Sequence, residues 1–191
     1  MANKDIRVRD LPLTTSSKIE ETTTGVIYQA DDDDGITYYF AGNPTDNWVS
    51  FGGFYWRIIR INGDGSIRRF MYTTSSQHGN SNNSSIKSVL DNWYQTNLSN
   101  YSSYISVDAG FCSDRNMASG YSWSSTGSNH NYSAFERLQT TNNVVPTYEC
   151  SNTNDLFTVS SSIKGNHALT YPVGLITADE LVMGGIPWDD E

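Results

Sequence analysis

Few side chains in this 191-residue chain could do chemistry: two cysteines, three histidines, a run of four aspartates and one long loop rich in Tyr, Trp, Asn and Ser. His78, His130 and His167 stand far apart in polar sequence. None has a Cys, His or carboxylate at ligand spacing, so no metal site is expected. Asp31 to Asp34 followed by Gly35 invites a calcium reading, but an EF-hand pattern needs an acid where Ala30 stands. The Asn62 to Gly65 turn fails likewise, with Arg60 at the first ligand position, and the aspartates read as a solvated charge run. Cys112 is followed by Asp114 and Arg115 but has no nearby histidine to activate it as a nucleophile. With no phosphate loop, GxSxG or dinucleotide fingerprint, the expectation is a chain without catalytic residues, metal or cofactor, and not an enzyme.

The remaining groups suit structure and recognition. A bridge between Cys112 in FCSDR and Cys150 in YEC would close a loop of 38 residues. By chain entropy such a loop contributes about 4 kcal/mol. Two separate buried thiols, as a reducing cytosol would keep them, are the alternative. The loop GYSWSSTGSNHNYSAF mixes rigid amphipathic rings with small hydrogen-bonding side chains, the combination antibody loops use. Aromatic faces beside amides also suit carbohydrate, which makes Tyr121, Trp123, Asn129, His130 and Tyr132 the candidate ligand-binding residues. The competing reading is a surface loop whose aromatics cover the core.

These groups need elements to hold them. Residues 1 to about 35 carry little large apolar bulk beyond Ile6, Val8, Leu11, Leu13, Ile19, Val26, Ile27 and Tyr28. That favours an extended arm packed on something else over an independent core. From Gly35 onward β-branched and aromatic residues dominate, and the turn Asn62-Gly63-Asp64-Gly65 separates two strand-like runs. Phe54 to Ile61 and Ser66 to Thr73 are therefore predicted to form a β-hairpin. Both faces of the first run carry apolar bulk, Phe54, Trp56 and Ile58 on one and Tyr55, Ile59 and Ile61 on the other, so it should be central in its sheet. Ile86, Val89, Leu90, Trp93, Tyr94 and Leu98 recur at helical spacing and predict an amphipathic helix over 85–98. Residues 100–154 read as a loop-dominated region. TADELVMGG predicts a short helix with Thr177 as N-cap, Glu180 completing a capping box and Gly184 past the end.

Composition narrows the partners. The formal net charge is -9, yet only 17% of residues are charged, against about 25% in an ordinary domain. Ser, Thr and Asn make up about a third of the chain and supply the polar surface instead. The aspartate run and the tail Asp189, Asp190 and Glu191 hold seven of the 21 acids, leaving a body close to neutral. A body without a basic stripe is not expected to bind nucleic acid or dock on anionic membranes, and no run is long enough for membrane insertion. The start MANKDIRVRDLPL has no apolar h-region and does not read as a secretory signal. An oxidised, extracellular protein without a signal peptide would leave its cell by lysis, as virion proteins do.

The segments YYFAGNPTDNWVSFGGFYWRIIRINGDGSIR, FCSDR, ERL, Pro146 spaced from Cys150, and YPVGLITADE carry a resemblance. Over residues 35 to 185 the chain resembles surface-exposed C-type-lectin-like (formylglycine-enzyme-like) domains of Gram-positive gut bacteria and their phages. The resemblance implies an α+β fold: a twisted antiparallel sheet with one amphipathic helix, one short C-terminal helix and long loops, and it supports a Cys112 to Cys150 disulfide. None of the calcium-lectin triplets EPN, QPD or WND occurs, so calcium-dependent sugar binding is not carried over. Separately, DIRVRDLPLTTS is similar to the short N-terminal arms of phage fibre and head-decoration proteins. Together these give the expectation of a phage virion structural protein. An attachment arm at 1–35, through Ile6, Val8, Leu11 and Leu13, would contact other virion proteins. A lectin-like domain at 36–191 would adhere to a cell-surface glycan or protein, and repeated docking on a symmetric particle would make the protein a homo-oligomer. The alternative is a secreted or surface-anchored bacterial adhesin whose signal peptide has been removed.

Overall fold

Alternating and continuous runs of Val, Ile, Tyr, Phe and Trp favour pleated, half-buried backbone, and such runs build the main sheet here. The computed structural model describes residues 3–14, 19, 22–69, 85–122, 132–138, 143–150 and 152–185. Six strands form that sheet: β1 (Asp5–Val8), β2 (Val26–Asp32), β3 (Gly35–Tyr39), β4 (Trp48–Phe51), β5 (Phe54–Ile61) and β6 (Ile67–Arg69). Their order is β1-β2-β3-β5-β4, with β6 also on β5. Only β1 and β2 run parallel in it.

The predicted hairpin is present. Asn62 N–H donates to Ser66 O at 2.8 Å and Gly65 N–H to Asn62 O at 2.8 Å, and β6 pairs with β5 after that turn. Residues 70–73 lie outside the described residues. β5 is central as expected, bonded to β4 through 54–57 and to β3 and β6 through 58–61. Its two faces are not equally covered, however. Trp56 is buried whereas Tyr55 is 81% exposed, because α1 (Ser85–Asn97) packs on the Trp56 face only.

The expected arm needs a correction at its C-terminal end. Val26–Asp32 is a strand between β1 and β3, with Ile27 and Tyr28 buried. The four aspartates thus span the β2–β3 turn, where Asp32 pairs with Gly35 and Asp32 Oδ1 accepts the Asp34 N–H at 2.8 Å. The cause is pairing: VIYQA is short, but its neighbours on both sides complete its hydrogen bonds and bury its larger side chains. The predicted boundary at 35 therefore falls inside a hairpin. Leu13 also departs from expectation. At 5% exposure it packs with Leu138 and Val182, and its backbone exchanges hydrogen bonds with Val144. It serves this chain's own core, while Ile6, Val8 and Leu11 are exposed.

The two predicted helices follow the sequence closely, whereas a third, α2 (Ser133–Leu138), stands in the region read as loop-dominated. α1 buries Ile86, Leu90 and Tyr94, one stripe at i, i+4 spacing, and Leu98 continues the stripe past its end. This stripe meets Trp56, and Trp93 lies 5.3 Å from Phe54 and 5.7 Å from Trp56, centroid to centroid. Gly52 in the β4–β5 turn has φ +61°, and a Cβ there would stand 2.8 Å from Leu98 Cδ2, so both the turn and the close approach require glycine. Across the loop-rich region come a 3-10 turn (Ser99–Tyr104), β7 (Phe111–Cys112), α2 (Ser133–Leu138), a 3-10 turn (Thr153–Asp155) and β8 (Leu156–Phe157). β7 and β8 make a separate two-stranded ribbon. Cys112 and Cys150 form a disulfide across this region, with Cα atoms 5.6 Å apart. α3 (Ala178–Met183) carries the predicted capping box: Glu180 N–H donates to Thr177 Oγ1 at 3.1 Å and Thr177 N–H to Glu180 Oε2 at 3.0 Å. The architecture is α+β with a mostly antiparallel sheet. No helix among the described residues is long and apolar enough to cross a membrane.

Candidate functional site

A cleft of about 790 Å³ opens where the β2–β3 turn, the end of β5, the disulfide segment and the start of α3 converge. Apolar side chains of Phe111, Leu156, Leu169 and Ile176 contribute to its walls, together with Tyr148. Eight carboxylates and five basic side chains complete it. Charges at this density in a concave site are expensive unless paired, and the pairing gives the site its character.

One wall is built on α2 and α3. Arg137 donates from Nε and Nη2 to both oxygens of Asp179, at 2.9 and 2.6 Å, and from Nη1 to Asp114. Asp179 Oδ1 also accepts the Thr147 N–H at 3.0 Å. Burial works against the Arg137 charge, but Asp179 and Asp114 hold it above its ordinary range. A guanidinium gripped by two carboxylates has no freedom to reorient, which ties α2 to α3 across 42 residues of sequence.

The floor holds a second ionic group. Arg60, nearly fully buried at the end of β5, lies over the Tyr148 ring at 4.6 Å and 3.8 Å from Glu180 Oε1. Glu180 thereby serves both as the capping-box residue of α3 and as counter-charge to a sheet arginine. Tyr148 in turn meets Tyr39 edge-on at 5.3 Å. Burial raises the Tyr148 hydroxyl well above its ordinary pKa and the Tyr39 hydroxyl to about 12, so both stay protonated.

The acidic turn closes the opposite side. Asp32 accepts the Gly63 N–H at 2.9 Å, Asp33 accepts the Cys150 N–H at 2.8 Å, and Asp34 pairs with Lys164 at 2.5 Å. A Cβ on Gly63 would lie 2.7 Å from Asp32 Oδ1, so the two turns touch only because this position has no side chain. Desolvation, reinforced by Asp32 and Asp34, holds the Asp33 carboxyl above its ordinary pKa despite the Cys150 hydrogen bond. The hydrogen bond to Asp34 raises Lys164 above its usual range. Asp108 accepts from Ile163 N–H and Ser162 Oγ–H, both at 2.9 Å, and lies below the usual carboxylate range for those two reasons. The run read as a solvated charge stretch is instead a clamp joining the sheet to residues 150 and 164.

The residues chosen from sequence divide accordingly. Cys112 lines the cleft, and its sulfur is committed to the bridge with Cys150. Tyr121 is exposed and Tyr132 makes a backbone bridge to Met117, but neither lines the cleft. Trp123, Asn129 and His130 lie outside the described residues. Among the described residues no group of three or more His, Cys, Asp or Glu is arranged to hold a metal ion. Arg60, Arg137 and Asp179 were not singled out from sequence. Arg60 did carry a signal, since a cation on the Trp56 face of a central strand must find a buried partner. Searches against family models, curated proteins and solved structures found no match for the chain.

Proposed function

We propose that this chain is a recognition domain working outside a reducing cytoplasm, displayed on a phage virion, with the charged cleft as its ligand pocket. The observation that carries the reading is the disulfide Cys112–Cys150, whose Cys112 lines the cleft, because such bonds persist in oxidising surroundings and rarely in cytosol. The paired charges around it support binding, since walls already ordered by internal ion pairs lose little further freedom when a ligand enters. The lectin-like layout implied by the sequence resemblance belongs to the same reading. Ile6 at 48% and Val8 at 64% exposure, on the outermost strand of the sheet, offer an apolar face for attachment to other virion proteins. Repetition of that contact around a symmetric particle gives the homo-oligomer.

Mass spectrometry of purified particles tests placement, and absence of the protein from them removes the virion assignment. Binding to host cells or mucosal glycan tests the pocket. Ser113 is an exposed residue of the cleft lining, so Ser113→Trp fills the opening without touching the core. Loss of cell binding in that variant is the expected result, and undiminished binding removes the cleft from the reading. Detection on a bacterial envelope in place of particles selects the adhesin alternative.

A further inference from the structure

We propose a second binding site, for carboxylate-bearing glycans, on the open face of the β4–β5 hairpin. Strand alternation and register set its members: Trp48 stands opposite Arg57 and Ser50 opposite Tyr55, all four on the face away from α1. Trp48 is 55% exposed and Tyr55 81%, the latter among the most exposed large side chains described. Large rings left in water on one face of a hairpin, with a polar rim, mark interaction surfaces more than isolated apolar residues do.

Arg57 supplies the charge argument. Its guanidinium lies 5.2 Å from the Trp48 ring centre, and Nη2 donates to Pro44 O at 2.8 Å. Among the described residues Nε has no hydrogen-bond partner and no carboxylate pairs with the group; Nε itself is closed to solvent, so a ligand meets the guanidinium at its Nη edge. Arg115 and Arg137, by contrast, are each paired with Asp. A half-buried cation stacked on an indole and lacking a counter-ion selects an anion carried on a ring that can stack. A sugar acid meets both conditions. Its C–H faces lie on the electron-rich faces of Trp48 and Tyr55, its carboxylate reaches Arg57, and its hydroxyls meet Ser50. An acidic protein fits less well, because two rings and one cation fall far below the roughly 800 Å² per partner of a standard interface. The site is separate from the cleft and does not depend on the virion assignment.

The test titrates the full oxidised chain with an oligo-hexuronate, with its methyl ester and with a sialylated trisaccharide, read by calorimetry and by the indole N–H signals in NMR. The expected result is binding of at least one acid form, with the Trp48 signal moving. The ester should bind about tenfold more weakly, as loss of a charge-assisted contact predicts. Tyr55→Ser, at a position too exposed to matter for folding, and Arg57→Gln should each weaken the acid form by a similar factor. Equal binding of acid and ester overturns the proposal, as does undiminished binding in Tyr55→Ser and Arg57→Gln. It is also overturned if neither acid glycan binds, or if only a polyglutamate peptide does. Ser113→Trp, which fills the cleft, leaves this titration unchanged, so failure here and failure of the cleft reading are distinguishable.

Discussion

Asp179→Ala should be among the most damaging single substitutions in this protein, and the cleft wall gives the size. The change strands Arg137 Nε and Nη2 and the Thr147 N–H, three donors that now share the two oxygens of one carboxylate. A stranded buried donor costs about 1–3 kcal/mol. The Arg137 side chain is 25% exposed and keeps Asp114, so water and the second carboxylate recover part of the loss. The net expectation is about 3–4 kcal/mol, in the range for breaking one side of a buried ion pair. Replacing both partners, as Arg137→Met with Asp179→Leu, removes the stranded cation but leaves Asp114 without its counter-charge and the Thr147 N–H unbonded, and should cost about 2–3 kcal/mol, less than the sum of the single changes. Asp114→Asn leaves the two-point grip intact and should cost about 1 kcal/mol. Urea unfolding under oxidising conditions measures these, and with a slope of about 3 kcal/mol/M the Asp179→Ala midpoint falls by about 1 M. A loss below 1 kcal/mol in Asp179→Ala, or additive losses in the double variant, would refute the reasoning.

Other consequences are as direct. Cys112→Ser and Cys150→Ser should lose the same stability, about 4 kcal/mol for a 38-residue loop, and reduction of the parent should match them in thermal unfolding. Unequal losses between the two would show that one sulfur has a role besides the bridge. Gly52→Ala should cost about 1–3 kcal/mol, because φ is +61° and Leu98 Cδ2 stands in the way, while Gly53→Ala should cost only the strain of its φ of +83°. For Asp33, the folded pKa lies above the unfolded one, so its ionised form disfavours the fold, and stability falls as pH rises from 3.8 through the folded value. Asp33→Asn should therefore be more stable than the parent at neutral pH, with the difference vanishing as pH falls below 4; a constant difference across pH would contradict this. Asp46, lowered by its Lys4 partner, has the opposite sign, and its contribution is lost as pH falls through its folded pKa.

Local signals were legible and long-range ones were not. The capping box at Thr177 and Glu180, the stripe of α1 and the β5–β6 turn are each set by residues within about two helical turns of one another, and all were readable in the sequence. The acidic run was misread for the reverse reason. Its aspartates look solvated until Cys150, Lys164 and Gly63 are brought to them, and nothing at residues 31–34 names those partners. VIYQA looked too poor to bury because a strand's worth depends on its neighbours, and β1 and β3 lie on either side of it. The candidate site suffered most, since Arg137, Asp114 and Asp179 come from three separate segments. Only Arg60 broke a local rule visibly enough to point there.

Contacts that join the two ends of the chain also set an order of events during synthesis. Arg9 bonds Met183 O, Leu13 bridges Val144, Asp33 receives Cys150 N–H and Lys164 holds Asp34. At ribosomal rates of about 5–20 residues per second, the β1–β3 region waits roughly 10–30 s before its partners near residue 183 emerge. During that interval the nascent chain carries the edges and acidic turn of its sheet unsealed. Four like charges at that turn disfavour close edge-to-edge pairing with another chain until Lys164 and Cys150 arrive. The same carboxylates that fasten the finished fold thus guard it from association before it is finished.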